Sequence, residues 1–194
     1  IDFIITKKIP EEKSSEILVA ATQKQVIAQH LELFEAAGAN PTIITIDFFS
    51  LYGLYLQIPS YAQLPGSVAL LDLGVQSTQV AYISNGQLRL IRTLPYGVST
   101  IAKEVSDIAG ISQSEALEEL IRFGLESHDQ SSHLDAIMQA VGSFWNKINF
   151  TLTSFTAQTQ QESISHLFLF GGGAHIKGLA SFVTHHMQVP TELF

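Results

Sequence analysis

Two short segments combine residue types that could handle phosphate. In Asp72-Leu73-Gly74-Val75-Gln76-Ser77-Thr78 a carboxylate precedes a glycine and two hydroxyls. Gly74 permits a tight turn whose backbone amides could face an anion. Asp72 could hold a water of a Mg²⁺ ion, which usually binds through one or two carboxylates plus phosphate oxygens. Ser77 and Thr78 add hydroxyl donors. In Gly171-Gly172-Gly173-Ala174 three residues lack side chains, so a flat ring or a phosphate can approach the backbone closely. This is not a P-loop, because the Lys-Ser/Thr ending is absent. Each segment has a plainer reading, a hairpin turn in the first case and a flexible connector in the second. Both, however, follow apolar runs that read as strands. On one open sheet they would meet at the carboxyl ends of those strands, where such sheets bind ligands.

Other chemistry-bearing residues carry less. His185 and His186 are adjacent, so on a helix they point about 100° apart and cannot share a metal as i, i+4 residues would. They read as surface histidines. His30 lies among apolar residues and reads as a partly buried structural histidine. Ser50, Ser99 and Ser143 lack a nucleophile-elbow context. Glu115, Glu118, Glu119 and Glu126 read as a solvated acidic face.

Composition narrows the classes further. Of 194 residues, 46% are apolar and 14% charged, which excludes a disordered tail. There is no Cys, so disulfides, thiolate metal sites and Cys nucleophiles are ruled out. The net charge of −8 comes without a basic run; Lys7, Lys8 and Lys13 are the densest cationic group. That pattern lacks the electrostatic footprint for nucleic acid or anionic lipid. No apolar run reaches the length of a membrane span. The chain opens on Ile1, already inside an apolar run, and reads as a piece of a larger protein cut at both ends.

The elements that must position these residues follow from periodicity. Asp2–Ile9 and Glu16–Thr22 read as strands. Gln23–Ala37 reads as an amphipathic helix stopped by Gly38, with Val26, Ile27, Leu31, Leu33 and Phe34 at helical spacing. Pro41 opens a third strand, Thr42–Ile46, and Asp47 caps a helix over Phe48–Gln57. Ile58–Gly66, with Pro59, Pro65 and Gly66, is the internal boundary. Beyond it Val68–Leu73 is a buried strand, and Gln79–Ile83 and Leu88–Leu94 are joined by an Asn85-Gly86 hairpin turn. Ser99–Ala109 is a helix. Ser112 and Glu115 form a capping box for a second, which ends near Gly124. Asp129–Ser132 is a polar break. A long helix then carries a stripe from Leu134 through Met138, Phe144, Trp145 and Ile148 to Phe155. His166–Phe170 is a strand, Gly178–Met187 a helix, and Thr191–Phe194 the start of a last strand. From residue 67 the order of three strands followed by alternating helix and strand is that of the ribonuclease-H-like unit on which actin-type domains are built.

At these residues the chain resembles a family. Leu70-Leu71-Asp72-Leu73-Gly74, the Asn85-Gly86 turn, Arg92-Thr93-Leu94-Pro95-Tyr96-Gly97 and Leu169-Phe170-Gly171-Gly172-Gly173-Ala174 look like those of the PilM family. These are actin-like proteins of type IV pilus assembly and relatives of the cell-division protein FtsA. The resemblance implies an actin-like (ribonuclease-H-like) α/β fold, with a small α+β subdomain followed by a mixed-sheet domain. Residues 1–46 would be the subdomain called 1C, 47–66 a helix and linker of subdomain 1A, and 67–194 subdomain 2A. A small helical 2B insert would fall at about 111–132. It also implies that Asp72, Gly74 and Thr78 match the second phosphate motif and Gly171 to Ala174 the adenosine motif, with Gln76, Ser77 and Gly97 as further nucleotide-binding positions. ATP and Mg²⁺ would be the ligands, with Asp72 acting on Mg²⁺ through water.

Three departures from the family pattern stand out. The first phosphate motif would lie before residue 1. Where the family reads Ala-Glu and then Lys three residues on, this chain has Ala116-Leu117 and Leu120. A glycine pair near Gly97 is reduced to one.

The function implied is a cytoplasmic component at the inner membrane that binds ATP as a conformational ligand. It would dock the cytoplasmic tail of a PilN-type membrane protein between subdomains 1A and 1C and meet other platform proteins. At most it would be a weak ATPase, since no residue supplies an evident base. A second reading is a scaffold that has lost nucleotide binding, as in the actin-like region of the type II secretion protein GspL. A third, a sugar-kinase-type enzyme on the same core, lacks a substrate-phosphorylating Asp context.

Overall fold

The computed structural model describes residues 2–126, 133–159 and 163–194. The Asp129–Ser132 break and the side chain of Phe155 lie outside the described part. The chain divides into two units, Ile1–Ala62 and Gln63–Phe194, and the division falls within the Pro-rich stretch 58–66.

In the first unit β1 (Asp2–Ile9) and β2 (Ser14–Ala20) pair antiparallel, with a bulge between Ile5 and Lys7. The turn between them is a short 3₁₀ segment opened by Pro10 and closed by Lys13 in the left-handed region. Phe3 faces Val19 and Ile5 faces Ile17 across the ladder. These four side chains are each 50–56% exposed, so the apolar face of the hairpin is open. Helix α1 (Lys24–Ala36) forms where the periodicity places it and stops before Gly38 at φ 71°. None of its residues is buried. His30 is exposed rather than partly buried: its ring nitrogen bonds the Val26 carbonyl one turn back, so it needs no tertiary partner.

Residues 42–46 correct a second expectation. They form no strand, and the sheet here holds β1 and β2 alone. Strand geometry survives only where an edge accepts the ladder, and Pro41 brings no N–H to start one. Helix α2 (Asp47–Gln57) begins with Asp47 inside its first turn, where the carboxylate accepts the Phe48 N–H at 2.8 Å. A short helix α3 (Pro59–Ala62) follows, and the Tyr55 hydroxyl donates to the Tyr61 carbonyl at 2.9 Å.

The second unit is built on a five-stranded sheet of order β5-β4-β3-β6-β7. Its strands are β3 (Ser67–Leu73), β4 (Thr78–Ser84), β5 (Gln87–Leu94), β6 (Ile164–Phe170) and β7 (Thr191–Leu193). β3, β4 and β5 run antiparallel in succession, while β6 lies parallel to β3 and β7 parallel to β6. Asn85 and Gly86 both take positive φ, as a two-residue hairpin turn requires. β3 is central and buried on both faces, which explains its unbroken apolar run.

Helices α4 (Val98–Ala109), α5 (Gln113–Arg122), α6 (Leu134–Thr159) and α7 (Leu179–Met187) supply the rest of the core. Ile101 and Val105 of α4, Ile137, Val141, Phe144, Trp145 and Ile148 of α6 and Val183 of α7 bury with Leu71 and Leu169. Met138, read as part of that stripe, is 44% exposed. The capping box is present: the Ser112 hydroxyl accepts the Glu115 N–H, and the Glu115 carboxylate accepts the Ser112 N–H at 2.9 Å. Within the acidic face Glu119 is half-buried and sits 3.0 Å from the His133 ring, so it is paired rather than freely solvated. Among the described residues no helix is long and apolar enough to cross a membrane.

Candidate functional site

Because β3 and β6 are parallel neighbours, their carboxyl ends lie at one edge of the sheet, with Asp72 in register with Phe170. The two segments singled out in the sequence therefore touch. Gly171 follows β6 at φ 80°, a conformation that favours glycine. A Cβ there would overlap the Asp72 Oδ1 carboxylate oxygen and crowd the Leu73 backbone. The carboxylate thus lies directly against the first glycine. Gly173 is equally constrained, since a Cβ would strike Val98 Cγ2 and the Leu73 carbonyl. Gly172, by contrast, is exposed and has nothing within 4 Å of where its Cβ would be. The segment is no loose connector: residues Gly172–His175 form a 3₁₀ turn, with Gly173 and Ala174 buried.

The turn after β3 is closed by the Gly74 N–H donating to the Ser77 carbonyl at 3.0 Å. It is docked onto the start of α4. The Val98 N–H donates to the Gly74 carbonyl and the Ser99 N–H to the Val75 carbonyl. Gly97 makes this docking possible, because a Cβ would overlap the carbonyls of Gly74 and Val75. The first amides of α4 are therefore engaged by protein. Val75 and Gln76 are exposed, and among the described residues their N–H groups meet no hydrogen-bond acceptor. Such amides in a turn are a common anion contact. Asp72, Gly74 and Ser77 are half-buried beside them.

Thr78 is different. It is fully buried, and its hydroxyl donates to the Tyr96 carbonyl at 2.9 Å, tying the start of β4 to the end of β5. That bond already engages its hydroxyl as a donor. A polar chain leads outward from the turn: the Ser99 hydroxyl donates to the Gln76 side-chain oxygen at 3.4 Å, and the Gln113 side-chain amide donates to the Ser99 carbonyl at 3.2 Å.

The structure also explains the apolar residues of α5. Leu120 and Ala116 are fully buried in the core, and Leu117 packs half-buried against it. Their side chains are accounted for by packing. The sequence reading missed Gly124 and Gly178 as contact residues. Both take positive φ, and the segment after α5 packs on Lys177 and Gly178 at the far end of the glycine loop. Each was read as a helix stop or start. Glycine alone signals the conformation, and only the fold shows the contact.

A mixed sheet of this order, with two backbone turns meeting at its carboxyl edge, defines an actin-like fold. Solved structures bear this out. The chain aligns over its full length, at 23% identity and TM-score 0.78, with 55% of a chain in a PilM-PilN type IV pilus biogenesis complex. Over 90% of its length it aligns at 14% identity and TM-score 0.64 with 57% of the ethanolamine utilization protein EutJ from Carboxydothermus hydrogenoformans. It also aligns over 90%, at 15% identity and TM-score 0.58, with 60% of MreB5 of Spiroplasma citri bound to AMPPNP. The chain spans little more than half the length of these proteins. The family model for the type IV pilus assembly protein PilM matches residues 1–194, and the chain belongs to that family.

Proposed function

We propose that this chain contributes one half of an ATP-Mg²⁺ site whose ligand acts as a conformational effector in type IV pilus assembly. The observation that carries the reading is the convergence of Asp72 with Gly171 at one sheet edge, beside the exposed amides of Val75 and Gln76. Phosphate oxygens would meet the Gly74–Ser77 turn. Adenosine would lie over Gly171 and Gly172, with Gly173, Ala174 and Gly97 holding the backbone in place. Asp72 would orient a Mg²⁺-bound water. Thr78 would serve by fixing the strand ends that carry the turn. MreB5 of Spiroplasma citri, of the same fold, has been solved with AMPPNP and with ADP, which supports a nucleotide as the ligand class.

The partner would be the cytoplasmic tail of a PilN-type membrane protein, as the PilM-PilN complex suggests. In the first unit an apolar groove of about 620 Å³ runs between α1 and residues 41–46, lined by Ile27, Leu31, Phe34, Ile43 and Ile44 among others. An apolar segment of the tail would fill it. The protein would then work in the cytoplasm, held at the inner membrane through that partner.

Calorimetry of ATP-Mg²⁺ with the full-length protein and its Asp72→Ala variant tests the reading. Micromolar binding, lost or weakened at least tenfold in the variant, is expected. A second reading, a scaffold without nucleotide, draws on the donors already engaged at Thr78, Val98 and Ser99. It would be upheld if neither protein binds and if Asp72→Ala leaves pilus assembly intact.

A further inference from the structure

The glycine loop is held from two sides, and the second side has no part in the site as described so far. Its first half, Gly171 to Ala174, rests on β3 and α4. Its second half is gripped by the end of α5. The Lys177 Nζ donates to the Arg122 carbonyl at 2.8 Å, across 55 residues of sequence. That carbonyl belongs to the last turn of α5, where helix carbonyls lack intrahelical partners and a cation is favoured by the helix dipole. In return the Leu125 N–H donates to the Lys177 carbonyl at 2.8 Å. Two glycines let the segments approach. Gly124, at φ 59°, would put a Cβ within 2.6–2.9 Å of three Lys177 atoms. Gly178, at φ 75°, would put one 2.8 Å from Glu126 Cγ and 3.2 Å from Leu125 Cβ. At its other end α5 is joined to the phosphate-side turn through Gln113, Ser99 and Gln76. Helix α5 thus spans both halves of the candidate site.

We infer that Lys177, with Gly124 and Gly178, is a latch that positions the glycine loop, so that affinity for an adenine nucleotide depends on the seating of α5. This rests on the nucleotide reading above. Lys177 is a positioning residue: it acts through the loop backbone. Linkage makes the effect reciprocal, because a ligand favoured by the latched loop must favour the latch in turn.

The test uses the full-length protein, ATP-Mg²⁺ calorimetry and hydrogen exchange at the Leu125 amide. Lys177→Met should weaken ATP binding about fivefold or more, the lower end of ordinary coupling between sites. Lys177→Arg should restore most of it, because the guanidinium keeps the charge and the donor. Saturating ATP should slow Leu125 exchange in the wild type and do so less in Lys177→Met, which a merely structural lysine would not produce. Equal ATP affinity in Lys177→Met, or Leu125 exchange indifferent to ATP, overturns the inference. If the wild type binds no ATP, the nucleotide reading fails and the affinity claim with it. The latch is then judged alone: Lys177→Met must speed Leu125 exchange about fivefold while Ile101 in α4 is unchanged, and equal rates overturn it.

Discussion

Gly97 and Gly172 are both glycines beside the same site, and they should fail in different ways when given a side chain. At Gly97 the φ of −147° suits any residue, so the obstacle is steric alone: backbone atoms of the Gly74–Ser77 turn occupy the space. Gly97→Ala should therefore destabilise by about 1–3 kcal/mol, the range for forcing extra volume into a packed site. Gly172→Ala meets nothing, so its thermal unfolding should match the wild type while ATP affinity falls, if adenosine lies over it. Calorimetric unfolding together with ATP titration of both variants separates the roles; a stable Gly97→Ala would sink the docking argument. At this scale the sequence was legible only in part. Asp72 and the glycine run could be picked out because each follows directly on an apolar run that reads as a strand. The buried bond from Thr78 to Tyr96 and the core position of Leu120 depend on partners distant in sequence, which no local spacing reveals.

Helix α5 shows an element whose start was written in its sequence. Ser112 and Glu115 stand at capping-box spacing, and both reciprocal bonds are made. The hydrogen bonds from the Ser112 side chain and backbone hold the Glu115 carboxyl below the usual carboxylate range. A carboxyl depressed in the folded state adds stability above its unfolded pKa and loses it as pH falls through the folded value. The cap should thus be intact at neutral pH and weaken as pH falls from the ordinary carboxylate range toward the lowered folded value. Ser112→Ala should cost about 1 kcal/mol at pH 7. Its deficit relative to wild type should shrink as the pH drops through the carboxylate range. Denaturant unfolding at pH 7 and in acid checks this, and a deficit that grows in acid would count against it. Other elements were legible for the same local reason, as with the Asn85-Gly86 turn, where two positive φ values match the residue types. Thr42–Ile46 was not. An apolar run becomes a strand only beside a strand that accepts it, and β1-β2 takes none.

At the scale of the whole molecule the two units differ in how they treat apolar surface. The second encloses a contiguous core around Leu71, Phe144, Trp145 and Leu169. The first leaves Phe34, Ile43 and Ile44 at 47–80% exposure around its groove. Contiguous exposed apolar surface marks a place where something else binds. On the proposed reading that is the PilN-type tail, and the chemistry of the groove constrains it. His30 is the one ionisable side chain among the described residues lining the groove, so binding should draw on burial rather than ion pairs. Replacing the exposed Ile44 by Asp places a charge where the tail's apolar side chains must lie, and burying an unpaired charge is costly. Ile44→Asp should weaken binding of a peptide copying that tail at least tenfold, measured by fluorescence anisotropy. ATP titration should be unchanged in the same variant, since the phosphate-side turn and glycine loop belong to the second unit. Wild-type peptide affinity should also change little between low and high salt, because screening acts on charges and not on apolar contact. Undiminished binding by Ile44→Asp, or affinity that collapses in salt, would place the tail on some other surface.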